Sequence, residues 1–121
     1  MSLTTDVFPH PLAPRWYRIY YIIKTPSDFA KAINANKPVV LMFSADWNEA
    51  CKVMKKPFRD MSLAKRNQAV FCLVDVDKLN DAVETYRVEA LPTFVLMKDR
   101  GEKRRVVGAR VDDFKNMGND I

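Results

Sequence analysis

Residues Val39 to Phe43 form an uninterrupted run of five apolar side chains, Val-Val-Leu-Met-Phe. The run is far shorter than the roughly 20 residues that a membrane-spanning helix needs. It also lacks the alternation of a strand with one face in water. Such a run is typical of a strand that is covered on both faces. We therefore expect this segment to lie in the middle of a sheet with helices on either side.

A long helix is predicted to follow this strand. Apolar residues recur at offsets of 4, 7, 11 and 14 from Trp47, which is the spacing of one helix face. The complete set is Trp47, Cys51, Met54, Phe58 and Met61. Pro57 lies inside the pattern and predicts a kink, because a proline within a helix removes one backbone hydrogen bond.

The remaining segments alternate between strand and helix patterns. Thr25-Pro26-Ser27-Asp28 predicts a helix start, since it combines a capping hydroxyl, a proline at the first helical position and an acid three residues after the cap. A turn is predicted at Asp99-Arg100-Gly101. The other predicted elements are strands at Arg18 to Ile23, Val70 to Val76, Phe94 to Met97 and Arg104 to Val107, a short helix near Asn80 to Tyr86, and a brief closing helix after Gly108.

This order of elements predicts an α/β sandwich, with a central mixed sheet and helices on both faces. The early strands, which are joined through helices, should pair in parallel, and the last two should form an antiparallel hairpin. Residues 1–17 contain three prolines and are expected to form an irregular extension. Residues 18–121 are expected to form one domain, and 48% hydrophobic residues supply enough apolar material for its core.

The net charge of +5 leaves the class of partner open. Basic residues cluster at Lys52, Lys55, Lys56 and Arg59, and again at Lys103 to Arg105. They favour an acidic protein partner over nucleic acid, because no aromatic or glycine-rich nucleic-acid motif accompanies them. A solvated surface is the simplest interpretation. No membrane partner is expected, since no apolar run approaches the length of a span.

Two cysteines, Cys51 and Cys72, are too few for a disulfide-stabilised secreted fold, and the N-terminus lacks the apolar core of a secretory signal. The cytoplasm is therefore the expected compartment. A mitochondrial presequence is the alternative, because the first 17 residues carry one acidic residue and Arg15. The single histidine, His10, has no cysteine or acidic cluster near it, so neither a metal nor a cofactor is expected.

Several stretches of the chain resemble the thioredoxin family, and around them the resemblance extends over about residues 18 to 117. They are Phe43-Ser44-Ala45-Asp46-Trp47, Phe71 to Asp77, Tyr86 to Phe94, and Val107-Gly108-Ala109. The resemblance implies a thioredoxin fold. It also implies that Pro92, after Leu91, is the cis-proline that faces the redox motif and lines the groove for substrate backbones. Without the resemblance, Pro92 would read as an ordinary turn proline opening a strand.

The chain departs from the family at the redox motif, which reads Trp47-Asn48-Glu49-Ala50-Cys51. Asn48 stands where the family has its attacking cysteine, and an amide has no thiolate form. It remains a good helix cap, because its oxygen can accept a hydrogen bond from a free backbone N–H. Glu49 and Ala50 replace the family's Gly-Pro. Met42 occupies the position where many thioredoxins bury an acid used in proton transfer.

Cys51 matches the family's second, resolving cysteine, and two interpretations of it stay open. It is either a small apolar core residue or a reactive single thiol. Cys72, in a predicted central strand, is interpreted as core packing. The pattern from Trp47 to Lys52 is also similar to the thioredoxin-like domains that precede monothiol glutaredoxin domains. Active monothiol glutaredoxins keep the first cysteine of the motif, however, and this chain keeps the last.

These features favour a thioredoxin-like binding module without dithiol reductase activity. The predicted binding groove consists of Trp47, Asn48, Glu49, Ala50, Leu91, Pro92 and Thr93, and its partner is a protein or an extended peptide segment. The alternative is a monothiol thiol-disulfide oxidoreductase that acts through Cys51 in redox homeostasis. Nucleic-acid binding through the basic surface is a third interpretation.

Overall fold

The computed structural model describes residues 20–121, so the predicted extension at 1–17 and the first part of the predicted strand at 18–23 lie outside the described residues. The strands are β1 (Tyr21–Ile23), β2 (Val39–Ser44), β3 (Val70–Asp75), β4 (Thr93–Lys98) and β5 (Gly101–Val107). The helices are α1 (Pro26–Ile33), α2 (Glu49–Lys65), α3 (Asn80–Thr85) and α4 (Val111–Met117), and α4 is followed by one 3-10 turn at Gly118–Asp120.

The five strands form one mixed sheet in the order β1-β3-β2-β4-β5. β3 pairs in parallel with β1 and with β2. β4 runs antiparallel to β2 and to β5. The predicted α/β sandwich is confirmed, as are the parallel early strands and the closing hairpin. All six residues of β2 are buried, as its uninterrupted apolar run predicts.

The side chains of β2 alternate between two cores on opposite faces of the sheet. Val40 and Met42 face the core that α2 and α4 cover with Met54, Phe58, Phe114 and Met117. The intervening Leu41 and Phe43 face the core that α1 and α3 cover with Phe29, Ala32 and Ala82. This period of two, in a strand buried on both faces, places β2 at the centre of the fold.

Helix α1 begins as its sequence predicts. The backbone N–H of Asp28 donates to Thr25 Oγ1 at 3.2 Å, and Pro26 occupies the first turn, where its missing N–H has no helical partner. Asp28 also places a negative charge in the first turn, where the helix dipole favours it.

The predicted apolar face of α2 is confirmed from Cys51 onward, but the assignment of Trp47 to that face is wrong. Cys51, Met54 and Phe58 are buried in the core. Trp47 precedes the helix, which begins at Glu49, and its side chain is 65% exposed. Residues outside a helix do not follow its period, so the offset of 4 between Trp47 and Cys51 does not report a shared face. Pro57 lies inside α2, and the kink there stays a prediction.

The turn between β4 and β5 places Asp99 and Arg100, rather than Gly101, at positive φ, with values of 52° and 67°. Two consecutive left-handed residues in a two-residue hairpin loop form a type I′ turn, for which Asp-Gly is a preferred pair. Arg100→Gly is therefore expected to raise the free energy of unfolding by about 0.5–1 kcal/mol, because glycine removes the Cβ clash of the left-handed conformation.

Urea unfolding measures this difference, and Gly101→Ala is the matched control. A Cβ at Gly101 would meet only the carbonyl oxygen of Lys98, at 3.9 Å, so this control should be nearly neutral. A destabilised Arg100→Gly protein would contradict the expectation.

Candidate functional site

The candidate site lies at the edge of the sheet where β2 ends and β4 begins. These strands are antiparallel, with Phe43 opposite Thr93, so the loop after β2 and the segment before β4 leave the sheet side by side. The Leu91–Pro92 peptide bond is cis. The carbonyl oxygen of Pro92 accepts a hydrogen bond from the N–H of Gly108 at 2.7 Å, which ties this segment to the end of β5.

Asn48 caps the N-terminus of α2. Its backbone is extended, with φ −91° and ψ 123°, and its Oδ1 accepts the backbone N–H of Cys51 at 2.9 Å. The side chain therefore satisfies one of the N–H groups that a helix start leaves free. Glu49 follows in the first turn, where the helix dipole favours a carboxylate, and it pairs with Lys52 at 3.0 Å.

The thiol of Cys51 lies beneath this cap. The residue is 1% exposed and packs in the same core as Met42 and Phe94. Cys72 is fully buried in the core on the other face of the sheet, where burial raises the pKa of its thiol far above the usual value. The two free cysteines thus lie on opposite faces of the sheet, and they are too well separated for a disulfide within the folded domain.

Trp47 is exposed but held in place. Its indole Nε1 donates to Asp77 Oδ2 at 3.0 Å, and the backbone N–H of Asp77 donates to Asp75 Oδ1 at 3.0 Å. The loop after β2 is thereby fixed to the loop after β3. Sequence reasoning did not single out Asp77 for this role, because the partners are 30 positions apart and no local pattern links them.

The predicted groove residues differ in what they present to solvent. Trp47 and Glu49 are exposed, whereas Asn48, Ala50 and Leu91 are partly exposed. Pro92 is buried, and Thr93 is 1% exposed with its hydroxyl donating to the carbonyl oxygen of Ala90 at 2.7 Å. The structure thus brings all seven to one end of the sheet, but Pro92 and Thr93 contribute little to its surface.

Arg105 fixes the other end of the segment that leads to Pro92. Its Nη2 donates to the carbonyl oxygen of Tyr86 at 2.7 Å, and its Nη1 lies 3.4 Å from that of Arg87. Its Nε and Nη2 also bind both carboxylate oxygens of Glu102, at 2.9 and 2.8 Å. The cation thus contacts two carbonyls just past the C-terminus of α3, where a helix dipole favours positive charge.

This role of Arg105 depends on an irregularity in the hairpin that sequence reasoning missed. Leu96 pairs with Arg104 while the next residue, Met97, pairs with Glu102, so Lys103 is an extra residue in β5. Such a bulge reverses the side on which later side chains project. It brings Glu102 and Arg105, three positions apart, onto the same face of the sheet.

Arg105→Met is expected to lower the free energy of unfolding by about 1–2 kcal/mol at neutral pH, because it leaves the Tyr86 carbonyl and Glu102 without their donor. Arg105 holds the pKa of the Glu102 carboxyl below its ordinary value through these hydrogen bonds. The contribution of the Glu102 carboxylate to the free energy of unfolding is therefore fully present above the unfolded-state pKa of about 4.3. It is lost as the pH falls through the lower, folded-state pKa.

Urea unfolding of both proteins at several pH values measures this dependence. The difference in free energy of unfolding between wild type and Arg105→Met should become smaller at acidic pH. Lys103→Met is the control, because Lys103 is an exposed residue on the same strand. A gap that is independent of pH would exclude a contribution from the Glu102 carboxylate.

Residues 20–121 lack both a cluster of metal ligands and a membrane-spanning helix. No three His, Cys, Asp or Glu side chains in this range are grouped so as to hold a metal ion, and His10 lies outside it. No helix of the same range is both long and apolar enough to cross a bilayer.

A family model and two relatives of this chain agree on one family. A protein-family model described as Thioredoxin matches residues 20–118. Thioredoxin H-type from Oryza sativa subsp. indica is 42% identical over 90 residues, which cover 74% of this chain and 73% of the relative. Thioredoxin H2-2 from Oryza sativa subsp. japonica is 42% identical over 86 residues, which cover 71% of this chain and 63% of the relative.

A solved structure leads to the same assignment. The structure of oxidised mitochondrial thioredoxin 3 from Saccharomyces cerevisiae superposes with a TM-score of 0.79 at 27% identity, covering 88% of this chain and 99% of that one. The mixed five-stranded sheet and the helices on both of its faces are therefore a thioredoxin fold. On the family match and the fold together, the chain belongs to the thioredoxin family.

Proposed function

We propose that this chain is a thioredoxin-like binding module that holds an extended segment of a partner protein without exchanging disulfides with it. The observation that carries the proposal is the pairing of an amide cap with a buried thiol. Asn48 is partly exposed at the start of α2, and Cys51, the residue behind it that carries the thiol, is 1% exposed.

Disulfide reduction by a dithiol requires a thiolate that attacks one sulfur of the substrate, and a second thiol that attacks the protein's own sulfur in the resulting mixed disulfide and displaces the reduced substrate. Asn48 cannot supply the first thiolate. Cys51 would have to reach a substrate sulfur from inside the core, where Met42 supplies no proton acceptor. The local chemistry therefore supports binding more strongly than catalysis.

Binding of an extended segment does not require a thiol. An exposed indole and the partly exposed Leu91 offer apolar contact area on the two sides of the site. Trp47 is already fixed by Asp77, so less side-chain entropy is lost when a partner covers it. Backbone pairing beside Pro92 would supply the remaining contacts.

The proposal extends to the chain's organisation and surroundings. Residues 1–17 are taken as an extension to the domain at 18–121. Two unpaired, buried cysteines fit a reducing compartment, for which the cytoplasm is proposed. Fractionation of cells that produce the full chain tests this assignment, and recovery with mitochondria would contradict it.

Reduction of insulin by dithiothreitol tests the absence of exchange. The wild-type protein should reduce insulin no faster than dithiothreitol alone, and Cys51→Ser should behave identically, with Cys72→Ser as the matched control. Turnover by the wild type that Cys51→Ser abolishes and Cys72→Ser retains would refute the proposal and establish the monothiol enzyme instead.

A further inference from the structure

A groove lies between α2 and α4, away from the site at the start of α2. Its volume is about 380 Å³. Pro57, Met61 and Val111 contribute apolar surface to it, and the charged side chains of Lys56, Asp60 and Lys115 also line it. Val53 is one helical turn before Pro57 and is 61% exposed, so it extends the apolar surface along α2.

Positive charge is in excess at this groove. Lys56 Nζ lies 2.9 Å from Asp60 Oδ2, and Arg59 Nη2 lies 3.9 Å from Asp60 Oδ1. Lys115 approaches the same carboxylate from α4, and the pKa of Asp60 is lowered first by its hydrogen bond from Lys56 and then by the charges of all three cations. One carboxylate thus faces three cations. The side chain of Lys56 remains 74% exposed, so it can bind a further anion.

The apolar lining of the groove, which consists of Pro57, Met61 and Val111, forms its floor. We infer that this groove binds an acidic peptide segment of a partner protein, which places one apolar side chain on the floor and its carboxylates on Lys56, Arg59 and Lys115. The cations of the groove attract the acidic residues of the peptide, and the apolar floor contacts its apolar residue. The inference goes beyond the binding module proposed above, because Asp60 is 12 residues from Asn48, or about 18 Å along α2.

Other occupants fit this groove less well. A second copy of the chain carries a net charge of +5, and residues 1–19 contain a single acid, Asp6. The residues lining the groove include no aromatic side chain on which a nucleic-acid base could stack. The apolar floor lies in a concavity between two helices, whereas a bilayer surface contacts apolar groups that protrude.

The experiment selects ligands for the full chain from a library of random twelve-residue peptides displayed on phage. The enriched peptides are expected to combine several Asp or Glu residues with an aliphatic or aromatic residue. Their affinity should fall at least about tenfold in the Lys56→Glu, Lys115→Glu double variant and should weaken as salt is raised. The matched control is Lys37→Glu, Lys103→Glu, which changes the net charge equally at two exposed positions remote from the groove.

Chemical-shift changes in the unaltered protein supply a measurement that does not depend on any variant. The selected peptide should perturb the resonances of Lys56, Met61, Val111 and Lys115. The inference is overturned if the enriched peptides are not acidic, if both double variants bind them equally, or if the perturbed resonances lie around Trp47 instead. It is also overturned if phosphatidylserine vesicles or duplex DNA bind in place of any acidic peptide.

Discussion

Asn48→Cys is expected to convert the chain into a dithiol reductase, with insulin reduction at least about tenfold faster than that of the wild type. The backbone N–H of Cys51 already points at the side chain of residue 48, at 2.9 Å. A thiolate in place of the amide oxygen would accept the same N–H at the positive end of the helix dipole. Both interactions lower a thiol pKa, so the introduced sulfur would be a nucleophile near neutral pH.

The second half of the reaction depends on Cys51. Residues three apart in a helix have Cα atoms about 5 Å apart, within the range of about 4.4–6.8 Å that a disulfide tolerates. The introduced thiolate first attacks a substrate disulfide and displaces one of its sulfurs as a thiolate. The Cys51 thiolate then attacks the sulfur of residue 48 in the mixed disulfide, so that the substrate's second sulfur also leaves as a thiolate and residues 48 and 51 are joined by an intramolecular disulfide. Dithiothreitol then supplies the two electrons that regenerate the dithiol.

Two controls separate chemistry from helix capping. Asn48→Ser keeps a capping oxygen and should remain inactive, because it introduces no thiol. Adding Cys51→Ser to Asn48→Cys should stop turnover at the mixed disulfide, which mass spectrometry detects. A folded Asn48→Cys protein that reduces insulin no faster than the wild type would mean that more than the attacking thiol is missing from this site, with Met42 and Glu49 the first positions to examine.

Much of the fold is predictable because its signals are local. The Thr25 cap and the buried run of β2 are each written in a few adjacent residues, and the alternation of strand and helix then fixes parallel pairing. The strand pattern fails at β5, which begins at Gly101 rather than Arg104. The three residues before Arg104 are a glycine and two charged residues, and pairing with β4 makes them a strand, so tertiary contact overrides a weak local preference.

The candidate site likewise combines features that the local sequence predicts with features that depend on distant contacts. Asn48 is recognisable as a cap from its residue type, and the structure gives it that hydrogen bond. The apolar periodicity cannot detect where a helix begins. It therefore placed Trp47, which precedes the Asn48 cap, on the helix face. The contacts of Trp47 with Asp77 and of Arg105 with Tyr86 join distant parts of the chain. Loop geometry determines the first contact, and the bulge in β5 determines the second. Neither can be recognised from the types of the neighbouring residues.

Phe58→Ala is expected to lower the free energy of unfolding by about 3–5 kcal/mol, since it removes a fully buried aromatic ring and leaves a cavity. The ring of Phe58 is at the centre of the core between α2, α4 and the sheet. Its centroid lies 5.2 Å from that of Tyr20, 5.8 Å from that of Phe71, and 6.2 Å from those of both Phe94 and Phe114. Small domains have only about 5–15 kcal/mol of stability in total, so this loss is a large fraction.

Urea unfolding followed by circular dichroism measures the change, and Leu63→Ala is the control on the same helix. The Leu63 side chain is 50% exposed, so its loss should change stability by no more than about 0.5 kcal/mol. The loss of stability in Phe58→Leu should lie between those of the two alanine variants, because leucine keeps most of the apolar volume but loses the ring contacts. If Phe58→Ala cost no more than Leu63→Ala, Phe58 could not be the residue that joins α2 to the sheet.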